Sequence, residues 1–149
     1  MTTFPAIHDL IPHRGTMLFV DSVTAFEDER ITAEYTPKAG AWYANAAGQM
    51  PAWLGIEVMA QTVAAHNGML RWTQQQHKQG VLLGARRMPS SVSKFQAGVA
   101  LQITATPVYR DDTGLGAYDC SISCAGTLLV EATLKVYEPD DFQSFLQAS

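Results

Sequence analysis

The chain has 149 residues, of which 47% are hydrophobic and 16% are charged, so the sequence predicts one compact domain over residues 1–149 and excludes a disordered chain. The formal net charge is −4, and because no nucleic-acid motif accompanies this acidic balance, we expect no nucleic-acid ligand. No apolar run is long enough to span a bilayer, and the N-terminus lacks the basic flank and apolar core of a signal peptide. A cytoplasmic location is therefore expected.

The residues before Pro51 predict two strands and a loop. LFVDSVTAF is a strand candidate and ITAEYTP alternates clearly, which predicts two strands joined by the charged turn EDER. Residues 38–51 are rich in small residues and end in proline. We expect them to form a loop that leads into a helix.

One long helix is predicted from Ala52 to about Lys78. Its first four turns are apolar on nearly every side, so we expect other parts of the fold to wrap around it. Its last turns, TQQQHK, are polar and should reach solvent.

The remainder of the chain predicts four strands and a short tail at residues 139–149. The strands are VLLGARRM, VALQITATPVYR, LGAYDCSISC and TLLVEATLKVYE. DDTG predicts the turn of an antiparallel hairpin between the second and third of them. Cys120 and Cys124 lie four residues apart on one strand, roughly 13 Å, which is too far for a disulfide.

Two strands, one buried helix and four further strands together indicate an α+β hot-dog fold, in which an antiparallel sheet wraps around one long helix. Such a sheet leaves an open edge and an apolar surface, which a second subunit would cover.

Four segments in chain order resemble the β-hydroxyacyl-acyl carrier protein dehydratase family. They are IPHRGTMLFVDSV near the N-terminus, GIEVMAQTVA in the helix, KFQAG before a strand, and LLVEATL near the end. The helix is also similar to a divergent branch of that family, the predicted dehydratases of aryl polyene gene clusters.

This resemblance implies a hot-dog dimer, or a higher assembly of dimers, that acts without a cofactor. The substrate would be a 3-hydroxyacyl chain on the phosphopantetheine of an acyl carrier protein, and loss of water would give the trans-2-enoyl chain. Such carrier proteins are acidic, whereas residues 58–110 include six basic and no acidic residues. Arg86, Arg87 and Lys94 are the predicted carrier-binding residues.

The sequence departs from the family at the catalytic loop. The family has a histidine fourteen residues before the helix acid, where this chain has Tyr43. Pro51 matches the family's proline, but Ala52 replaces the following glycine, whose backbone N–H is thought to hold the thioester carbonyl. Because Ala52 also has an N–H, we predict that Pro51, Ala52 and Trp53 bind substrate.

Glu57 is the predicted general acid. A carboxylate in an apolar helix beyond the first turn is costly, and burial would favour the neutral carboxyl, which can donate a proton. A structural carboxylate is the alternative. Gln61 lies one turn on and is predicted to orient Glu57, with helix packing as an alternative role. Ala64 and Gly68 continue this face and would leave room for an acyl chain.

None of the four histidines is expected to be catalytic. His8 should be exposed, His13 should be structural, His66 should face away from Glu57, and His77 lies in the polar end of the helix. Tyr43 could form a hydrogen bond where the family's histidine would stand, but a phenol is a poor base near neutral pH.

Three functions fit these residues. The chain could be a dehydratase with Glu57 as general acid, or a hot-dog acyl thioesterase in which Glu57 activates water. It could also be a non-catalytic or half-site subunit, which would pair with a histidine-bearing dehydratase paralogue. The sequence contains no metal-binding motif, nucleophile elbow, phosphate loop or dinucleotide fingerprint.

Overall fold

The computed structural model describes residues 3–74, 81–87 and 92–137, which form one α-helix, α1, and eight strands, β1 to β8. Single 3-10 turns lie at Ile7–Asp9, Gly15–Met17 and Ala52–Leu54. In chain order the elements are β1 Ser22–Glu27, β2 Arg30–Tyr35, β3 Met50–Pro51, α1 Gly55–Gln74, β4 Val81–Arg87, β5 Lys94–Phe95, β6 Leu101–Arg110, β7 Leu115–Cys124 and β8 Thr127–Tyr137.

Six strands form an antiparallel sheet in the order β1-β2-β6-β7-β8-β4. These are the six strands that the sequence predicts, so the predicted hot-dog fold is confirmed. β3 and β5 pair as a separate two-stranded ribbon within stretches that the sequence indicates as loops. Their two-residue length is too short to produce a recognisable alternation.

The DDTG turn is formed as predicted. The side chain of Asp111 accepts hydrogen bonds from the hydroxyl and backbone N–H of Thr113 and from the N–H of Leu115. These bonds hold the pKa of Asp111 below its usual range, and the bond from the Thr113 hydroxyl contributes most. The turn therefore starts β7 in register with β6.

Helix α1 packs against the sheet, as its apolar sequence predicts. Val58, Met59 and Ala65 are fully buried, and so are the polar residues Gln61 and His66. The α-helix begins later than predicted, because pairing of β3 with β5 keeps Met50 and Pro51 extended and a 3-10 turn follows. Glu57 therefore lies in the first helical turn, and the prediction that it lies beyond that turn is wrong.

The N-terminal segment, residues 7–14, lies across α1. A side chain at Gly68 would collide with the backbone of Leu10, so glycine permits this close approach. The guanidinium of Arg71 donates to the Leu10 carbonyl at 2.8 Å. The backbone of Leu10 thus fills the space beside Gly68. Gly68 therefore does not leave room for an acyl chain, which is the role that the sequence predicts for it.

Both cysteines are free, as the spacing predicts. Cys120 is buried in the core, and burial raises the pKa of its thiol to about 12. Cys124 is half-buried.

In the described part of the chain, no helix combines the length and hydropathy that a bilayer span requires. His77, the polar residues 75–78 of the predicted helix and the predicted tail at residues 139–149 lie outside the described residues.

Candidate functional site

A pocket of about 540 Å³ opens between the N-terminal segment and one face of α1, with one side chain each from β4 and β8. Its walls are largely apolar, and Glu57 and His13 both contribute to them. The lining residues are Asp9, Leu10, Ile11, Pro12, His13, Glu57, Ala60, Val63, Ala64, Asn67, Arg71, Leu82 and Val136. The volume is in the range of small-molecule sites.

Gln61 fixes the carboxyl of Glu57, as the one-turn spacing predicts. Its side-chain nitrogen donates to Glu57 Oε1 at 3.2 Å and to the carbonyl of Met17 at 2.8 Å. Its side-chain oxygen accepts from the N–H of Phe19 at 2.6 Å. Both amide hydrogens and the oxygen are therefore used, so the fully buried Gln61 holds Glu57 in one orientation.

Glu57 is a wall residue of the pocket and is not enclosed in the core. Its side chain is 38% exposed in the single chain, and the neighbouring Val58 and Met59 face the sheet. The burial considered from the sequence is therefore only partial in the single chain. An acidic residue in the first turn also interacts favourably with the helix dipole, which the predicted helix boundary had excluded.

His13 lies beside Glu57, a proximity that the sequence does not predict. Its Nε2 is 3.9 Å from Glu57 Oε1, and both side chains are partly exposed to the pocket. The sequence separation of 44 residues hides this contact. It forms because the close approach of Leu10 to Gly68 brings residues 7–14 onto the helix.

Three of the predicted substrate-binding positions lie before the helix and do not line the pocket. The N–H of Ala52 donates to the Ser93 carbonyl at 2.9 Å, so it is engaged and does not face an open site. Pro51 pairs with Lys94 in the β3–β5 ribbon, and Trp53 is 62% exposed. Ala64, by contrast, does line the pocket.

Tyr43 does not stand in for the missing histidine in this structure. It is buried, its hydroxyl lies 2.6 Å from that of Tyr35, and it accepts the N–H of Lys38 at 3.0 Å. Burial, and then the bond to Tyr43, raises the pKa of Tyr35 far above its usual value. Tyr43 also packs edge-on against Phe19, so it supports the segment that anchors Gln61.

Two of the predicted carrier-binding residues are exposed. Arg86 lies on the edge strand β4, and Lys94 lies on β5 beside the entry to the helix. Arg87 is also part of β4, but its side chain lies outside the described residues. Their role in binding a carrier stays a prediction.

A polar cluster around the buried His66 and Tyr118 was not foreseen, and its Asn67 also lines the pocket. His66 contacts the hydroxyl of Tyr118 through Nδ1 at 3.1 Å and the carbonyl of Glu27 through Nε2 at 3.3 Å. Asn67 Oδ1 accepts from Arg110 at 2.9 Å and from Tyr118 at 3.2 Å, and Arg110 also donates to Tyr118. His66 thus faces away from the pocket, as its helical angle predicts.

A six-stranded antiparallel sheet around one helix, with a fixed helix carboxyl at a pocket, defines the class of hot-dog dehydratases and thioesterases. The model of the ApeP-like family, described as ApeP dehydratase, matches residues 5–147. The chain therefore belongs to the ApeP-like dehydratase family. No curated protein matches its sequence.

The fold is similar to that of several solved structures. A chain of the dehydratase heterocomplex ApeI:P from Xenorhabdus doucetiae matches with a TM-score of 0.88 and 26% identity over 98% of both chains. AziG from S. sahachiroi matches with a TM-score of 0.62 and 17% identity, over 79% of this chain and 90% of AziG. A mutant thioesterase from Pseudomonas aeruginosa matches with a TM-score of 0.60 and 14% identity, over 80% and 81%. The last two likenesses concern the fold alone.

Proposed function

We propose that this chain is the acid-bearing subunit of a 3-hydroxyacyl-[acyl carrier protein] dehydratase in fatty acid or polyene biosynthesis. Glu57 donates a proton to the departing hydroxyl of a carrier-bound acyl thioester. The second group, a histidine that acts as base, comes from a related dehydratase subunit. An acyl carrier protein as partner implies a cytoplasmic setting.

The observation that carries this proposal is the fixed position of Glu57 on the pocket wall. A general acid must be held within reach of the atom that it protonates. Two hydrogen bonds, from Phe19 N–H and to the Met17 carbonyl, hold Gln61, which donates a third to Glu57 Oε1. Beyond Glu57 the pocket is mostly apolar, as an acyl chain requires.

The proposal of a second subunit rests on the loop and on the sheet edge. Tyr43 occupies the position of the family's histidine and is engaged with Tyr35. β4 is an edge strand, and its Leu82 and Leu83 are 41% and 54% exposed. An open edge with apolar side chains favours pairing with another chain. The similar ApeI:P assembly is itself described as a dehydratase heterocomplex.

The test is an assay of a 3-hydroxyacyl-carrier substrate with this chain alone and with a histidine-bearing dehydratase paralogue. Glu57→Gln should lower the rate of the mixture by at least about 100-fold, because the amide cannot donate an acid proton. It should change the free energy of unfolding by less than about 1 kcal/mol, the size of a helix-dipole effect. Asp9→Asn, a carboxyl-to-amide change elsewhere on the pocket wall, is the control.

Two results would contradict the proposal. Full activity of this chain alone, unaffected by the paralogue, would remove the half-site arrangement. Persistence of activity in Glu57→Gln would place the chemistry elsewhere. Product analysis separates the enoyl thioester of a dehydratase from the free acid of a thioesterase, the alternative in which Glu57 activates water.

A further inference from the structure

His13 has no place in the function proposed so far, yet its geometry is that of a site residue. Its Nε2 and Glu57 Oε1 are 3.9 Å apart, too far for a direct hydrogen bond. Both side chains line the same pocket. A single oxygen atom placed about 2.8 Å from each group would bridge this gap.

The segment that carries His13 is held rigidly from two sides. Arg14 donates to the carbonyls of His8, Ile11 and His13 at 2.6 to 2.7 Å, which ties residues 8–14 together. The close packing of Leu10 on Gly68 fixes the segment to the helix that carries Glu57. The backbone positions that carry the two side chains are therefore held close together.

The two ring nitrogens of His13 have different surroundings. Nδ1 is shielded from solvent and has no hydrogen-bond partner among the described residues, whereas Nε2 faces Glu57 and the pocket. An orphaned buried N–H is rarer than an acceptor that lacks a donor. This asymmetry favours the tautomer whose hydrogen is on Nε2, where it is available as a donor.

We infer that His13 Nε2–H and the Glu57 carboxyl together hold the 3-hydroxyl oxygen of the substrate, which makes His13 a second catalytic residue of this subunit. The inference rests on the proposed function and adds a donor to it. The hydroxyl oxygen accepts a hydrogen bond from Nε2–H, which stabilises the negative charge that develops as the bond to C3 breaks.

The step balances with the groups already named. The C3–O bond breaks, and its oxygen takes the proton of Glu57 and leaves as water. The histidine base of the partner subunit takes the C2 proton, and the C2–H electron pair forms the C2–C3 double bond. Exchange with solvent returns a proton to Glu57 and removes one from the base. His13 donates a hydrogen bond and transfers no proton.

The kinetic test compares His13→Leu with His13→Gln in the complex with the paralogue. Leucine removes the donor, and glutamine replaces Nε2–H with an amide N–H at a similar reach. We expect kcat to fall about 100-fold in His13→Leu and to remain within about tenfold of wild type in His13→Gln, with KM little changed in both. His8→Leu, an exposed histidine of the same segment, is the control and should match wild type.

A second readout does not depend on turnover. Nitrogen-15 spectra of the full chain report the tautomer of each histidine, and the spectrum of His13→Gln assigns His13. We expect the Nε2–H form. We also expect the Nε2 resonance to shift on addition of a 3-hydroxyacyl N-acetylcysteamine thioester but not of the same thioester without the hydroxyl. The Nδ1–H form, or equal shifts with both thioesters, would overturn the inference.

Failure of this inference is distinguishable from failure of the proposed function. If Glu57→Gln loses activity while His13→Leu keeps it, the function stands and the role of His13 is overturned. Equal losses in His13→Leu and His13→Gln, with unchanged thermal stability, would also overturn it. If Glu57→Gln keeps full activity, the proposed function itself fails.

Discussion

At the scale of single residues, the two polar clusters of α1 have different physical roles. Gln61 and Glu57 lie on the pocket side, where the carboxyl remains partly exposed. His66 lies on the sheet side, fully buried against Tyr118. Burial lowers the pKa of His66 below its usual 6.5, and the charge of Arg110 acts in the same direction.

This lowered pKa predicts a pH dependence of stability. Below about pH 6.5 the unfolded chain binds a proton at His66 and the folded chain does not, so acid favours unfolding. The free energy of unfolding should therefore fall by up to about 1.4 kcal/mol per pH unit through this group as pH drops from 6.5. Above pH 7.5 the contribution should be constant.

Urea unfolding of wild type and His66→Gln between pH 5 and 8 measures this contribution. The free energies of unfolding of the two proteins should differ at high pH and approach each other as the pH falls. Only wild type loses stability through His66, because the variant lacks the titrating group. His8→Gln should run parallel to wild type. Parallel curves for wild type and His66→Gln would contradict the prediction.

At the scale of elements, the site depends on the contact between the N-terminal segment and the helix. Leu10 approaches α1 at Gly68, Arg71 bonds the same carbonyl, and the segment then carries His13 to Glu57. A glycine in a helix is costly by itself, so its presence here reflects the neighbour that it admits.

We predict that Gly68→Ala displaces this segment. The added methyl would collide with the Leu10 backbone, which cannot move as a flexible side chain would, and we expect a loss of about 1–3 kcal/mol of stability. Activity should fall further than stability, since His13 shifts with the segment. Gly40→Ala, in an exposed loop where a methyl meets no atom within 4 Å, is the control.

Chemical denaturation measures the stability of both variants, and the dehydratase assay measures their activity. An equally stable and active Gly68→Ala protein would show that the segment does not position the site.

At the scale of the whole molecule, charge is distributed unevenly along the chain. Residues 58–110 have six basic and no acidic residues, although the net charge is −4. Within that stretch Arg71 and Arg110 are engaged in bonds to Leu10 and Asn67, whereas Arg86 and Lys94 are exposed. The exposed subset is the part available to an acidic partner.

Charge reversal at Arg86, Arg87 and Lys94 should weaken binding of an acyl carrier protein by at least about tenfold at low salt. The difference should shrink in high salt, because screening shortens the range of such interactions. Titration calorimetry at two salt concentrations measures both effects. Arg30→Glu, on β2, is the control for each single reversal, since both change the net charge by the same amount. Unchanged binding in the triple variant would remove this surface as the carrier site.

The sequence by itself determined the architecture and pointed to Glu57 as the candidate acid. Alternation or a β-branched and aromatic composition marked the six long strands, an all-round apolar stretch marked the buried helix, and a lone carboxyl in that helix singled out Glu57. The one-turn spacing to Gln61 also predicted their contact, because residues four apart on a helix are neighbours.

Only the tertiary structure decided what surrounds Glu57. His13 is 44 residues away in sequence, the N–H of Ala52 bonds a carbonyl 41 residues later, and Gly68 admits the Leu10 backbone. Local periodicity contains no information on such pairs, because they depend on how separate segments pack in space. The start of the helix at Gly55 was likewise set by the long-range β3–β5 pairing, which moved Glu57 into the first turn.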